Sequence, residues 1–88
     1  MPESTPDSIE ARIIGVVQRL LAERSIDHLV QPEEDLREAG LSSLDMVTLV
    51  LSVEAEFDLM VPEVAIAPSN FRSVASISRL VGSLQKTS

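Results

Sequence analysis

Apolar residues near the start of the chain recur at helical spacing. The repeat consists of Ile9, Ile13, Val16, Val17, Leu20 and Leu21. Steps of three and four residues place these side chains on one face of an α-helix. The preceding Thr5-Pro6-Asp7 is a start signal, because proline is favoured in a first helical turn. The pattern predicts a first helix from about Ser8 to Arg24.

A second predicted helix, from about Ser43 to Phe57, is apolar around most of its circumference. Its polar residues form one narrow strip of Asp45, Thr48, Ser52 and Glu56. At about 100° per residue, one apolar face consists of Val47, Val50, Val53 and Phe57. Leu44 and Leu51 lie beside the polar strip, either buried against a loop or exposed as a ridge for a partner.

The last helix is predicted to follow a cap at Ser73 and to carry an apolar repeat. This repeat consists of Val74, Ile77, Leu80, Val81 and Leu84. Two long connections, residues 25–41 and 59–68, separate the helices, and a short helical turn is expected around Ser69 to Arg72. The elements predict an all-α fold, a small bundle of three main helices plus one short helix.

The length of 88 residues fits one small domain spanning residues 1–88. Internal repeats and low-complexity segments are absent. We expect residues 1–7 and 85–88 to be flexible, because they lie beyond the predicted helices. Aromatic residues make up only 2% of the chain, which favours an aliphatic helical core over a β-sandwich.

The charge and the cysteine content restrict the function. A formal net charge of -7 disfavours nucleic acids and anionic lipids as partners and favours basic protein surfaces. The absence of cysteine excludes disulfides and a protein thiol, so thiol chemistry requires an added cofactor. Neither a signal-type segment nor a membrane-spanning run is present, and we expect a cytoplasmic protein, most simply a monomer.

The segment Gly40-Leu41-Ser42-Ser43-Leu44-Asp45 carries the most specific local pattern. Ser42 and Asp45 form the S-x-x-D spacing of a capping box, which starts the second helix. A serine hydroxyl at this helix start is accessible, and a phosphate ester on it would face free backbone N–H groups. The pattern fits either an attachment point or simply a well-capped helix.

The usual constellations for catalysis and metal binding are missing. His28 is the single histidine and lies in the first predicted loop, where a surface or packing role is more common than catalysis. The acidic run Glu33-Glu34-Asp35 lacks the alternating ligands of a calcium loop, so a solvated loop is expected. We therefore predict neither catalytic residues nor a metal site.

Taken together, the chain resembles the acyl carrier protein family over nearly its whole length. The resemblance rests on Asp35-Leu36, on Gly40-Leu41-Ser42-Ser43-Leu44-Asp45, on Glu54-Ala55-Glu56-Phe57-Asp58, on Val61-Pro62 and on Phe71-Arg72-Ser73-Val74. It implies a helical bundle that carries 4'-phosphopantetheine, received from coenzyme A, on Ser43. The terminal thiol of that arm holds cargo as a thioester, and the carrier itself is a substrate, not an enzyme.

The resemblance also implies partners and a surface that recognises them. The implied partners are a phosphopantetheinyl transferase, a loading ligase or synthase, and downstream enzymes with basic docking patches. The implied recognition surface consists of Leu44, Asp45, Leu51, Glu54 and Glu56. The main interpretation is an acyl carrier of fatty acid, polyketide or specialised biosynthesis. The alternatives are a discrete aminoacyl or peptidyl carrier loaded by an adenylating ligase, and an unmodified interaction module with the same fold.

Two departures from the family pattern bear on this interpretation. Ser42 stands where the family usually has an aspartate that assists metal-dependent loading, so the transferase stays open and Asp45 is the one carboxylate nearby. Thr48 and Ala55 replace residues that are often acidic in fatty acid carriers. This thinner acidic face points towards a specialised set of partners.

The aliphatic core suggests a further hypothesis about cargo. In it, Val47, Val50, Val53 and Ile77 part to admit an acyl chain. The second connection then acts as a lid through Val64, Ile66 and Phe71. The hypothesis rests on the absence of polar groups at these positions and on the prolines that interrupt the connection.

Overall fold

The first helix, α1, spans Ile9–Glu23 in the computed structural model, which describes residues 8–86. Ser8 caps its N-terminus, because its hydroxyl accepts a hydrogen bond from the N–H of Ala11 at 3.1 Å. The helix ends at Arg24, and Ser25 follows in the left-handed region with φ 61°. The predicted first helix is confirmed.

The second helix, α2, spans Ser43–Phe57 and ends at Asp58, which adopts a left-handed conformation with φ 53°. Its buried apolar residues are Leu49, Val50, Val53 and Phe57. The predicted bounds are confirmed, whereas the predicted apolar face is wrong at Val47. That side chain is 58% exposed, and Leu49 takes its place in the core because α1 packs against a different sector of α2.

The third helix, α3, spans Val74–Lys86. The predicted cap is confirmed, because the hydroxyl of Ser73 accepts a hydrogen bond from the N–H of Ser76 at 3.1 Å. Between α2 and α3 lie two short 3-10 helices, at Glu63–Ala65 and Pro68–Phe71. The second of them corresponds to the single short helix predicted around Ser69, and the first lies in a segment predicted as a plain connection.

The long first connection is anchored to the start of α3. The N–H of Leu36 donates to the carbonyl of Arg72 at 2.8 Å, and the N–H of Ala75 donates to the carbonyl of Pro32 at 2.7 Å. Three apolar side chains of this connection are buried with the helices, namely Val30, Leu36 and Leu41. Because these groups are paired and buried, the connection has a fixed path over the bundle.

The fold class is confirmed as a small all-α bundle, and α1 packs against both α2 and α3. Within residues 8–86, no helix is both long enough and apolar enough to cross a membrane. Gln85 and Lys86, which are predicted to be flexible, belong to the last turn of α3, and their flexibility stays a prediction. The other residues predicted to be flexible, 1–7 and 87–88, lie outside the described residues.

Candidate functional site

Ser43 is the first residue of α2, and its side chain is exposed. The preceding Ser42 is the N-cap and forms the predicted capping box with Asp45. The N–H of Asp45 donates to the Ser42 hydroxyl at 3.3 Å, and the Asp45 carboxylate accepts from the N–H of Ser42 at 2.8 Å. This reciprocal cap fixes the helix start and directs the neighbouring hydroxyl of Ser43 to the surface.

Asp45 is buried, with only 4% of its surface exposed, and both of its carboxylate oxygens are engaged. Oδ1 accepts two hydrogen bonds from the guanidinium of Arg24, and Oδ2 accepts from the backbone and hydroxyl of Ser42. The backbone hydrogen bond from Ser42 holds the pKa of Asp45 below its ordinary value, and Arg24 lowers it further.

The sequence predicts Asp45 on the recognition surface, and in the structure this residue is buried. Its carboxylate lies inside the turn that presents Ser43, where Arg24 covers it. The sequence also predicts Asp45 as the carboxylate nearest to the attachment residue. In the structure, both of its oxygens accept hydrogen bonds from residues of the fold itself. Asp45 thus stabilises the turn that carries Ser43.

Gly40 leads the chain into this turn with a backbone φ of 123°. A Cβ atom at this position would lie 2.7 Å from Cδ1 of Ile26, well inside the usual contact distance. The positive φ favours glycine here, and a Cβ would also force the end of the Ile26 side chain to shift. The end of α1 and the start of α2 are therefore held together by Ile26 against Gly40 as well as by Arg24 against Asp45.

A cleft of about 490 Å³ opens beside Ser43, between α2 and the segment that contains the second 3-10 helix. Its apolar lining includes Met46, Val47, Val50, Ile66 and Phe71. The cleft thus places four of the residues in the cargo hypothesis along one surface. The other three differ, because Val53 and Ile77 are fully buried in the core and Val64 is 92% exposed.

Charged side chains also line the cleft near Ser43: Asp35, Arg37 and Arg72. The N–H of Arg37 donates to the carboxylate of Asp35 at 2.9 Å, and Nε of Arg72 lies 3.6 Å from the same carboxylate. The sequence singled out none of these three as site residues. The fold brings them to Ser43 through the hydrogen bond between Leu36 and Arg72, which no local pattern predicts.

The expected recognition surface is exposed at its apolar positions. Leu44 and Leu51 are 76% and 60% exposed, and Val47 lies between them at helical spacing. Leu44, Val47 and Leu51 form one strip, called here the α2 ridge. The spacing of three and four residues in the sequence also fits Val47 as a member of this strip, although the predicted core face includes it.

The acidic members of that surface are partly committed to other contacts. The carboxylate of Glu54 accepts from the N–H of Val61 at 2.8 Å. Glu56 pairs with Arg12 at 2.9 Å. Both side chains are partly buried. They therefore stabilise the C-terminal half of α2 as well as giving it negative charge.

His28 and Glu34 lie outside the lining of the Ser43 cleft, whereas Asp35 of the same acidic run belongs to it. Nε2 of His28 lies 2.7 Å from the carboxylate of Glu34, which also accepts from the N–H of Gln31. These hydrogen bonds hold the pKa of Glu34 below its ordinary value. Across residues 8–86, no group of three or more histidine and acidic side chains is arranged to bind a metal ion.

Comparison with known families identifies the family of the chain. Residues 11–81 match the family model for the phosphopantetheine attachment site. The chain belongs to this family of carrier proteins. Its cofactor is therefore covalently attached 4'-phosphopantetheine, and the exposed hydroxyl of Ser43 at the mouth of a cleft fits an ester-linked arm. As a carrier, the protein is a substrate of other enzymes and not an enzyme itself.

Two similar carrier proteins come from Bradyrhizobium diazoefficiens. Aminoacyl carrier protein 2 is 44% identical over 78 residues, which cover 89% of this chain and 88% of that protein. Aminoacyl carrier protein 1 is 42% identical over 73 residues, which cover 83% of this chain and 81% of that protein. Both similarities cover most of this carrier and of its relatives.

Two solved structures extend the similarity to the fold. One is Bradyrhizobium japonicum glycine:[carrier protein] ligase complexed with glycylated carrier protein, with a TM-score of 0.72 and 41% identity over 83% of this chain and 99% of that chain. The other is the same ligase with its cognate carrier protein and an analogue of glycyl adenylate, with a TM-score of 0.74 and 41% identity over 86% and 99%.

Proposed function

We propose that this protein is a discrete aminoacyl carrier that bears phosphopantetheine on Ser43. The exposure of Ser43 at the capped start of α2, beside a cleft, is the observation that carries the assignment. Ser42 is also exposed, but its hydroxyl already serves the capping box with Asp45. The unmodified interaction module is disfavoured because the attachment family spans residues 11–81.

An amino acid is the proposed cargo in place of the fatty acyl or polyketide cargo of the main sequence interpretation. The support is the similarity to two aminoacyl carrier proteins and to the carrier of a glycine:[carrier protein] ligase. Replacement of acidic residues by Thr48 and Ala55 on α2 agrees with partners other than those of fatty acid synthesis. Glycine is the first amino acid to test.

The residues of this chain present the attachment point and limit its motion. The capping box fixes the backbone around Ser43, and Arg24 and Ile26 tie that turn to α1. The first backbone N–H groups of α2 have no intrahelical partner and favour an anion at Ser43. When bound, the cofactor supplies a thiol that carries the amino acid as a thioester. The carrier thereby raises the effective concentration of its cargo at each partner enzyme.

The α2 ridge is the proposed docking surface for the loading ligase. Three exposed apolar side chains beside the attachment residue offer a contact that excludes water. The negative charge of Glu54 and Glu56 steers basic partner surfaces towards it. The other proposed partners are a phosphopantetheinyl transferase and downstream enzymes. We also propose that the protein is a monomer and is located in the cytoplasm.

Intact mass spectrometry tests the attachment residue. The protein is incubated with coenzyme A, magnesium and a broad-specificity phosphopantetheinyl transferase, beside the variants Ser43→Ala and Ser42→Ala. We expect one added phosphopantetheine in the wild type and in Ser42→Ala, and none in Ser43→Ala. Absence of the addition from folded wild-type protein, across several transferases, would instead support the unmodified interaction module.

A second incubation tests the cargo. The phosphopantetheinylated protein is mixed with ATP, glycine and the B. japonicum ligase, and then with the other amino acids one at a time. We expect an aminoacyl mass that hydroxylamine removes, because a thioester is cleaved under these conditions. Loading by a fatty acyl ligase, with none of the amino acids accepted from any adenylating ligase tested, would return the assignment to an acyl carrier.

A further inference from the structure

We propose that Arg37 and Arg72 bind the phosphodiester anion at Ser43 and hold the start of the arm against the cleft. The proposal rests on the attachment of the cofactor at Ser43. Its first support is placement, since Ser43, Arg37 and Arg72 line the same cleft. An arginine recognises a phosphate oxygen through charge-assisted hydrogen bonds.

Among the residues that the structure describes, the guanidinium N–H donors of Arg37 and Arg72 are not used in hydrogen bonds, unlike those of two other arginines in the fold. Arg12 and Arg24 are committed, because their guanidinium groups donate to Glu56 and Asp45. Within residues 8–86, the side chain of Arg37 makes neither a hydrogen bond nor an ion pair. Arg72 approaches Asp35 at 3.6 Å, which is too long for a hydrogen bond. Their donors are therefore available to a ligand.

The local charge at the cleft is opposite to that of the whole chain. The protein has a formal net charge of -7, whereas the charged residues that line the cleft are one acid, Asp35, and two arginines. One negative and two positive charges leave a single positive charge there. A phosphodiester carries one negative charge, so it neutralises the cleft, whereas a cationic ammonium group would be repelled.

The two arginines lie on segments that are already joined. The N–H of Leu36, next to Arg37, donates to the carbonyl of Arg72 at 2.8 Å. The carboxylate of Asp35 accepts from the backbone N–H of Arg37 and lies 3.6 Å from Nε of Arg72. Because the backbone is fixed before the anion arrives, binding costs only the ordering of two long side chains.

Nuclear magnetic resonance tests this assignment on the modified protein. Samples are prepared before and after phosphopantetheinylation for the wild type, Arg37→Gln, Arg72→Gln and the double variant. The matched control is Arg79→Gln, which removes the same charge from an exposed position of α3 outside the cleft. Intact mass establishes that each sample carries the group, and amide spectra establish that each is folded.

The expected result has two parts. Modification shifts the Nε–Hε signals of Arg37 and Arg72 and leaves that of Arg79 in place. The ³¹P resonance of the double variant moves towards that of urea-unfolded modified protein, each single variant moves part of the way, and Arg79→Gln stays at the wild-type position. High salt moves the wild-type resonance in the same direction, because it screens the pairs.

The proposal is overturned if the arginine signals are unchanged by modification, or if the ³¹P resonance of the double variant coincides with that of the wild type. Those outcomes leave the carrier function intact, because intact mass reports attachment independently. Failure of attachment in the wild type removes the phosphodiester itself and overturns both proposals. A shift of equal size in Arg79→Gln would assign the effect to net charge and would also overturn the two-arginine site.

Discussion

Two arginine–carboxylate pairs join α1 to α2, one at each end of α2, and they differ in burial. At the N-terminal end, Arg24 binds Asp45, whose carboxylate is buried and is part of the capping box beneath Ser43. At the other end, Arg12 binds Glu56 at 2.9 Å, and both side chains are partly exposed. The same type of ion pair is therefore found in a buried position at one end of α2 and in a partly exposed position at the other.

The difference shows where polar contacts determine the structure and where apolar packing does. Arg12 also lies over the ring of Phe57, 4.5 Å from its centre, and donates to the backbone carbonyl of Glu56. Apolar burial of Phe57 would hold that end without the ion pair. At the N-terminal end, removal of the Asp45 carboxylate leaves several donors without an acceptor.

The largest effect is expected from Asp45→Ala. The substitution removes a buried acceptor of charge-assisted hydrogen bonds and one half of the capping box, so we expect a loss of about 2–4 kcal/mol in the free energy of unfolding. The partly exposed counterpart, Glu56→Ala, should lose only about 1 kcal/mol. Urea denaturation followed by circular dichroism measures both.

The same pair of variants distinguishes a local role from a general one. Phosphopantetheinylation of Asp45→Ala should be slower than that of Glu56→Ala under conditions in which both are folded, because only Asp45 fixes the turn that presents Ser43. Equal losses of stability, with equal loading rates, would contradict the contrast between the two ends.

The sequence was sufficient for the elements that depend on local signals. Helical spacing predicted α1, α2 and α3, and the S-x-x-D spacing predicted the capping box at Ser42 and Asp45. The rotation of α2 in the core was not predictable, because Val47 and Leu49 are both apolar and only their packing partners decide which is buried.

The partners of the site were harder to predict for a physical reason. Arg24 reaches Asp45 across 21 positions of sequence, and the segment of Arg72 meets that of Leu36 through a backbone hydrogen bond. These contacts depend on the path of the first connection, which has no regular repeat. The sequence around Asp45 alone therefore predicts an exposed helix residue, because the contact with Arg24 depends on the position of α1.

The pH dependence of stability should sharpen the comparison further. The pKa of Asp45 is below its ordinary value of 3.8 in the folded protein, chiefly because of the backbone hydrogen bond from Ser42. The charged carboxylate therefore contributes its full stabilisation above about pH 3.8, and this contribution is lost as the pH falls through the lower folded value.

The difference in unfolding free energy between wild type and Asp45→Asn isolates this contribution. We expect the difference to be constant from neutral pH down to about pH 4 and to shrink at lower pH. The lowered pKa of Glu34 acts in both proteins and cancels in the difference. A difference that stays constant below pH 3 would show that the Asp45 charge is not what stabilises the turn.

A smaller effect is expected from Arg12→Gln at the other end of α2. The change removes a partly exposed ion pair and the contact with the Phe57 ring, so the free energy of unfolding should fall by about 1 kcal/mol. High salt should reduce this loss, because the pair is accessible to ions. Thermal and urea denaturation at two ionic strengths measure it, and a loss larger than that of Asp45→Ala would reverse the comparison.

The smallest effect on stability is expected from Leu51→Ala in the α2 ridge, because an exposed side chain contributes about 0.5 kcal/mol or less. Its effect on loading should be large, since a few apolar contacts dominate many interfaces. We expect the KM for the modified carrier in the ligase reaction to rise about tenfold.

The matched control is Leu29→Ala, at a leucine that is 79% exposed in the first connection. This variant should leave both the stability and the KM unchanged. If both variants raise the KM equally, the ridge is not the docking surface; if neither does, the ligase approaches another face of the bundle.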